Sequence, residues 1–257
     1  MNERRGQRLL RLVPLVVVAA LWEALGAAGV VPENRLPPPS RVLGGLGELL
    51  SRGLPPGSAL LGHCAASLRR VFGGVGAALI VAIPLGLLMG RSARLRSLFN
   101  PFVELTRPIP PLAWVPLAIL WFGIGDMSAV FIIFLGAFFP ILLNTVAGVL
   151  SIERGLVESA VILGASKRDL FLKVLAPGAT PSIITGVRVA VGVGWMTLVA
   201  AEFTGVRSGF GLGYMIMTAR DIQRADQIVA GMLVIGMIGY SMDALIRLGE
   251  RRLLRWR

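Results

Sequence analysis

Few side chains in this 257-residue chain could do chemistry. Most of those that could are carboxylates and arginines set inside apolar runs: Glu23, Glu104, Arg188, Glu202 and Asp243. On insertion scales a charge at the middle of a membrane helix costs about 2.5–3.5 kcal/mol, so each of these groups is a candidate functional site. Asp243 and Arg247 stand four residues apart, which on a helix predicts a local ion pair. Glu104 and Arg107 predict another, and Glu23 lies close to the end of its run. Two readings stand for Glu202, near the end of the fifth run: it faces a translocation path, or it caps or pairs at the interface. A proton relay would need several such groups to converge.

Other chemistry is missing. The phosphate-cradling pattern GxxxxGK[ST] does not occur, and the only lysines, Lys167 and Lys173, follow no such loop. Neither GxSxG nor HExxH is present. The sequence therefore predicts no catalytic residues, no ATP site of its own and no cofactor. One histidine, His63, and one cysteine, Cys64, make neither a metal cluster nor an intrachain disulfide, so both read as packing or interfacial residues. The net charge of +12 could suggest nucleic acid. The basic residues sit in blocks between apolar runs, however, which is the pattern of a multi-pass membrane protein and excludes that partner.

One polar segment has too much internal order for a linker. In Val157–Pro177 a helical run over Leu156–Leu163 ends at Gly164. Ser166, with Asp169 three residues on, opens a second run as a capping box. Leu170, Phe171, Val174 and Leu175 form an apolar stripe at helical spacing, and Pro177 stops it. Two short helices with apolar faces, standing outside a membrane domain, predict a docking surface for another protein.

The elements that must position this loop are the apolar runs, which make up most of a chain that is 55% hydrophobic. A spanning helix needs roughly 20 apolar residues. Six segments qualify: about Val13–Val31, Val71–Met89, Leu112–Ile124, Val130–Leu150, Ile183–Ala201 and Ile228–Leu245. The third is short and is expected to extend back through Phe102–Pro111, kinked by its prolines. Basic residues at the N-terminus (Arg4, Arg5, Arg8, Arg11), after the second span, in the 157–177 loop and at the C-terminus (Arg247, Arg251, Arg252, Arg255, Arg257) all fall on one side of six spans. The positive-inside rule places that side, with both termini, in the cytoplasm. Arg69 and Arg70 fit less neatly at the outer end of the second span, either in the aqueous layer or snorkelling to the headgroups. Between the first two spans, Leu36–Ser40 is a stiff proline-rich turn. Ser40 is the expected N-cap of an amphipathic helix over Arg41–Arg52 lying on the outer surface, with Val42, Leu43, Leu46, Leu49 and Leu50 on one face. The alternative for residues 1–28 is a cleaved signal peptide, which Glu23 and the length of the apolar run disfavour. Glycines within spans, among them Gly73, Gly74, Gly76, Gly186, Gly192 and Gly194, predict close helix packing with the fifth span central.

The loop also resembles a known pattern, the EAA motif of importer-type ABC transporter permeases. Its positions fall on Glu158, Ser159 and Ala160, then Gly164, then Val174, Ala176 and Pro177, with both spacings kept and only small or apolar replacements. The run Arg107–Pro116, the turn Trp121–Asp126 and the segment Gly209–Tyr214 are similar to the nitrate/sulfonate/taurine branch. The resemblance covers about residues 13–255. It implies an all-α membrane protein of the type I ABC importer permease fold. Residues 1–55 would form an N-terminal segment with the first span and the surface helix, 56–250 the permease domain with a coupling loop at 151–180, and 251–257 a basic cytoplasmic tail. It further implies a bacterial inner-membrane homodimer that works with two cytoplasmic ABC ATPase subunits and an extracytoplasmic solute-binding protein, importing an organic sulfonate, taurine or nitrate. Glu158 would anchor the loop or touch the ATPase, Ala160 would allow close approach, and Gly164 would make the turn. The alternative is a self-sufficient ion-coupled secondary transporter or channel.

Overall fold

The computed structural model describes residues 2–205 and 209–253. Four residues of the expected basic tail lie outside them, among them Arg255 and Arg257 of the topology argument. The described residues form helices and turns without strands. In chain order these are α1 (Asn2–Ala27), α2 (Pro39–Ser51), α3 (Leu60–Arg91), α4 (Ala93–Thr106), a 3₁₀ turn (Pro111–Trp114), α5 (Val115–Phe122), α6 (Asp126–Leu150), α7 (Arg154–Ile162), the single turn α8 (Lys167–Asp169), a π turn (Leu170–Leu175), α9 (Ala176–Gly205), α10 (Leu212–Asp221) and α11 (Ala225–Leu253).

Among the described residues, four helical stretches are long and apolar enough to cross a bilayer: Leu60–Arg91, Asp126–Leu150, Lys167–Phe203 and Ala225–Arg252. Two shorter apolar stretches, Val16–Ala27 and Pro111–Phe122, correspond to the first and third expected spans. The third does not extend back through Phe102–Pro111. Prolines at 108, 110 and 111 remove three successive chances to donate a helical hydrogen bond, and the chain breaks between α4 and the 3₁₀ turn.

Two compact units emerge: Met1–Cys64 with Phe210–Met237, and Ala65–Gly209 with Ile238–Arg257. In the first, the expected N-cap of α2 is displaced. Pro38 is the N-cap and Ser40 lies in the first turn. The Ser40 N–H and hydroxyl donate to the two Glu23 oxygens at 3.0 and 2.7 Å, so a carboxylate from α1 satisfies the open N-terminus of α2. The face of α2 is also narrower than expected: Val42, Gly45 and Leu49 are buried, but Leu43 and Leu50 are exposed. Gly45 sits where a Cβ would come within 2.9 Å of Asp226 Oδ2. Arg224 ties the same helix down by donating to Glu48 at 2.6 Å and to Asp226 at 2.8–2.9 Å. These carboxylates raise the Arg224 pKa further above its ordinary range. His63 is fully enclosed, its Nδ1 3.0 Å from the Gly211 N–H, with the Phe210 and Tyr214 rings beside it. The Gly209–Tyr214 segment thus wraps the single histidine, which packs as expected.

In the second unit α6 is flanked by α3 and α9 at glycine contacts. On α3, a Cβ at Gly74 would lie 2.6 Å from Ile133 Cγ2, and one at Gly90 would lie 2.5 Å from Val149 Cβ. Between α6 and α9, a Cβ at Gly148 would meet Ser182 Cβ at 2.6 Å, and one at Gly186 would meet Asn144 Cβ at 2.7 Å. Small residues of this kind let helices approach closely where no hydrophobic force drives them together. Gly76 and Gly192 face open space, so they take no part in this packing.

Candidate functional site

The segment 154–177 has an inner and an outer side. Val157 and Phe171 pack around Leu175, and this group rests on Leu87 of α3, Val149 of α6 and Ala179 of α9. The Arg91 guanidinium stands over the Phe171 ring at 5.7 Å. The stripe of Leu170, Phe171, Val174 and Leu175 is therefore buried or half-buried and seats the loop on the helices. The outer apolar surface lies elsewhere, on the last turn of α7: Val161 is 56%, Ile162 84% and Leu163 86% exposed. The sequence places these three inside the expected run Leu156–Leu163 but does not single them out as its exposed tip. Three consecutive apolar residues beside a glycine were the signal.

Gly164 has φ +82°, a left-handed backbone that disfavours any side chain with a Cβ, and nothing stands within 4 Å of where a Cβ would go. It makes the sharp turn and leaves the tip of α7 open. Glu158 and Ser159 are exposed and Ala160 is half-buried. Ser166 caps α8 by accepting from the Asp169 N–H at 3.1 Å, and its own hydroxyl donates to the Asp169 carboxylate. Asp169 also pairs with Lys173 at 2.7 Å, and those two partners hold its pKa down at about 2.

Pro177 does not stop the helix. The Ala176 N–H reaches back five residues to the Phe171 carbonyl, and α9 continues directly. In an uninterrupted α-helix the proline ring would press on the carbonyl of Lys173, four residues back. The wider π turn at Leu170–Leu175 opens the backbone at this point, and helix continues from the loop into α9.

Three of the intramembrane charges, Arg188, Asp243 and Glu202, fall in two clusters, both in the second unit. Asp243 accepts from Arg188 at 2.8 Å as well as from Arg247 at 2.9 Å, so the expected i,i+4 pair gains a cation from α9. No ion pair joins Glu104 to Arg107. Both side chains are exposed, where a partner adds little. The second cluster holds Glu202. Arg70 is 1% exposed and does not snorkel. Its Nη1 donates to Glu202 Oε1 at 2.5 Å, while Nε and Nη2 donate to Asp126 Oδ1 at 2.9 and 2.7 Å. The Ser67 hydroxyl donates to the Glu202 carboxylate at 2.8 Å, and Arg69 pairs with Asp126 from the exposed side. Glu202 is 2% exposed, so its carboxylate lies within the packed helices. Among the described residues the cluster sets two arginines against two carboxylates. Removing one partner would strand a buried charge at a cost of about 3–5 kcal/mol. Asp126 is the last residue of the Trp121–Asp126 turn, and it also places a negative charge at the N-terminus of α6, where the helix dipole favours it.

Residues 82–255 match the family of binding-protein-dependent transport system inner membrane components. An ABC transporter permease protein of Methanocaldococcus jannaschii is 44% identical over 206 residues, covering 80% of this chain and 77% of its own length. The taurine transport system permease protein of Escherichia coli is 38% identical over 250 residues, covering 97% and 90%. A solved structure of the MetNI methionine ABC transporter in inward-facing conformations superposes with a TM-score of 0.65 at 22% identity, over 76% of this chain and 94% of that one, and so shares the fold. The chain is an all-helical, multi-pass membrane protein, and it belongs to the binding-protein-dependent family as a permease subunit of an ABC importer, with ATP hydrolysis lying in a separate subunit.

Proposed function

We propose that this permease imports a small sulfonate, taurine foremost, with other organic sulfonates and nitrate as the remaining cargoes, across a bacterial inner membrane. Two copies of the chain enclose the path between them, and two ATPase subunits dock below. The substrate reading rests on the likeness to the taurine permease over nearly the whole chain. In this reading all six apolar stretches cross, the two short ones included, and both termini are cytoplasmic. Residues 1–55, 56–250 and 251–257 keep the roles expected of them. Glu202 stands in the wall behind the path, because its carboxylate is enclosed by Arg70 and Ser67.

The coupling site is the loop 151–180. The observation that carries this is the bare apolar tip Val161–Leu163 beside a left-handed Gly164, mounted on a base that packs against three helices at once. Exposed apolar residues next to an opened turn suit insertion into a cleft on another protein. Glu158 and Ser159 lie on the free surface of α7 as contacts for the ATPase, and Ala160 leaves room for close approach. Val174 and Pro177 shape the base. The stretch Lys167–Phe203 is 37 residues long. At 1.5 Å per residue it spans about 55 Å, well beyond a hydrocarbon core of about 30 Å, so its first turns stand in the aqueous layer.

The test replaces Gly164 with Trp and, separately, with Asn, which tolerates the left-handed backbone. In reconstituted complexes Gly164→Trp uncouples ATP hydrolysis from uptake while Gly164→Asn largely preserves coupling. Normal coupled uptake of a sulfonate by Gly164→Trp would refute the docking assignment.

A further inference from the structure

Two features lock the same three helices at opposite ends. At one end the coupling loop sits on Leu87 of α3, Val149 of α6 and Ala179 of α9. At the other, Arg70 of α3 binds Asp126 of α6 and Glu202 of α9. Between them run the glycine contacts of Gly74, Gly148 and Gly186, which fix how closely the helices lie. We propose that Arg70 is a positioning residue for transport: it pins α3, α6 and α9 together at the end remote from the coupling loop, so that movement of the loop arrives there undiminished. This rests on the coupling-loop reading above.

The chemistry suits a pin. A guanidinium presents donors in a rigid planar fork, and here separate edges of one fork serve two carboxylates on two helices. Apolar side chains could fill the same volume but would slide, since dispersion contacts have no preferred partner. The pin also sits where the glycine packing gives out. On α3, Arg70 lies one turn beyond Gly74; on α9, Glu202 lies about two turns beyond Gly194, whose Cβ position is 3.3 Å from Val75 and Ile133. Ser67, three residues before Arg70 on the same face of α3, donates to the same Glu202 and fixes its orientation. Asp126 begins α6, so the pin holds that helix by its first residue, where a chain end would otherwise fray.

The test compares Arg70→Met/Glu202→Gln, which removes the pair without stranding a charge, with Arg70→Lys and Asp126→Asn. Each is reconstituted with its ATPase and binding protein, and assembly, ATP hydrolysis and uptake per ATP are read separately. The double variant is expected to assemble and hydrolyse ATP while uptake per ATP falls about tenfold, within the usual range of coupling between sites. Arg70→Lys should recover part of the loss by keeping the charge without the fork. Should the double variant fail to assemble, Asp126→Asn decides, because it takes the charge out of the α6 pair while Glu202 stays paired, and must by itself lower uptake per ATP. Wild-type coupling in the double variant, or in Asp126→Asn if only that assembles, overturns the pin. If Gly164→Trp is uncoupled while these variants stay coupled, the pin fails and the loop reading survives. If Gly164→Trp stays coupled, the loop reading itself has failed.

Discussion

Gly186 and Gly192 lie six residues apart on α9 and should respond oppositely to the same substitution. A Cβ at Gly186 would stand 2.7 Å from Asn144 Cβ, 3.0 Å from the Pro140 carbonyl oxygen and 3.3 Å from Ile141 Cα. Ordinary carbon contact lies near 4.0 Å, so the closest approach is short by about 1.3 Å. Two of the three obstacles are backbone and cannot swing aside, so α6 and α9 must separate along their shared face. Over-packing of this kind costs about 1–3 kcal/mol, and valine, which brings two further methyl groups and little helix propensity in return, belongs at the upper end. At Gly192 a Cβ meets nothing within 4 Å, and Gly192→Val should change stability by no more than about 0.5 kcal/mol. The assay is thermal unfolding of each purified variant in the same lipid nanodisc. A loss of about 3 kcal/mol in a chain of this size corresponds to roughly 6–12 °C. If Gly186→Val melts within a degree or two of Gly192→Val, the α6–α9 face is not set by glycine contact and the packing argument is wrong.

Glu23→Gln should weaken the capping of α2, seen as faster amide exchange at Ser40 and its neighbours with α6 unaffected. Arg247→Ala should be milder than Asp243→Ala, because Asp243 keeps Arg188 while loss of the carboxylate leaves two arginines facing each other; thermal unfolding ranks the two. Asp169 titrates low, at about 2, so what its ionised form adds to the order of residues 166–173 is present above the ordinary carboxylate range and is lost as pH falls from about 4 towards 2. Pepsin cleavage within that segment should rise over this window, begin at higher pH in Lys173→Met, and lose its dependence on Asp169 in Asp169→Asn.

The sequence carried the loop well because its signals are local. The Gly164 turn and the Ser166 cap each depend on a few neighbouring residues. Signals that depend on distant partners were read only in part. Ser40 has the chemistry of an N-cap, yet its hydroxyl turns to Glu23, seventeen positions earlier. Arg70 looked like a snorkelling residue because nothing nearby could neutralise it; its partners lie 56 and 132 positions away. Pro177 carries a helix-stopping rule that presumes α geometry before it, and a π turn evades that rule. The third apolar run went wrong where prolines at 108, 110 and 111 act together as a break rather than a kink.

A π turn holds one residue more than the α-helix it interrupts. Deleting a residue from an α-helical stretch would swing everything beyond it through about 100°. Such a deletion in α9 between Pro177 and Glu202 would carry Arg188 or Glu202 away from its partners. Within Leu170–Leu175 the same deletion removes the surplus residue and leaves α9 facing as it did. The turn is thus a length buffer between α7 with α8 and the long helix α9. A one-residue change of length there would leave the transmembrane core in register.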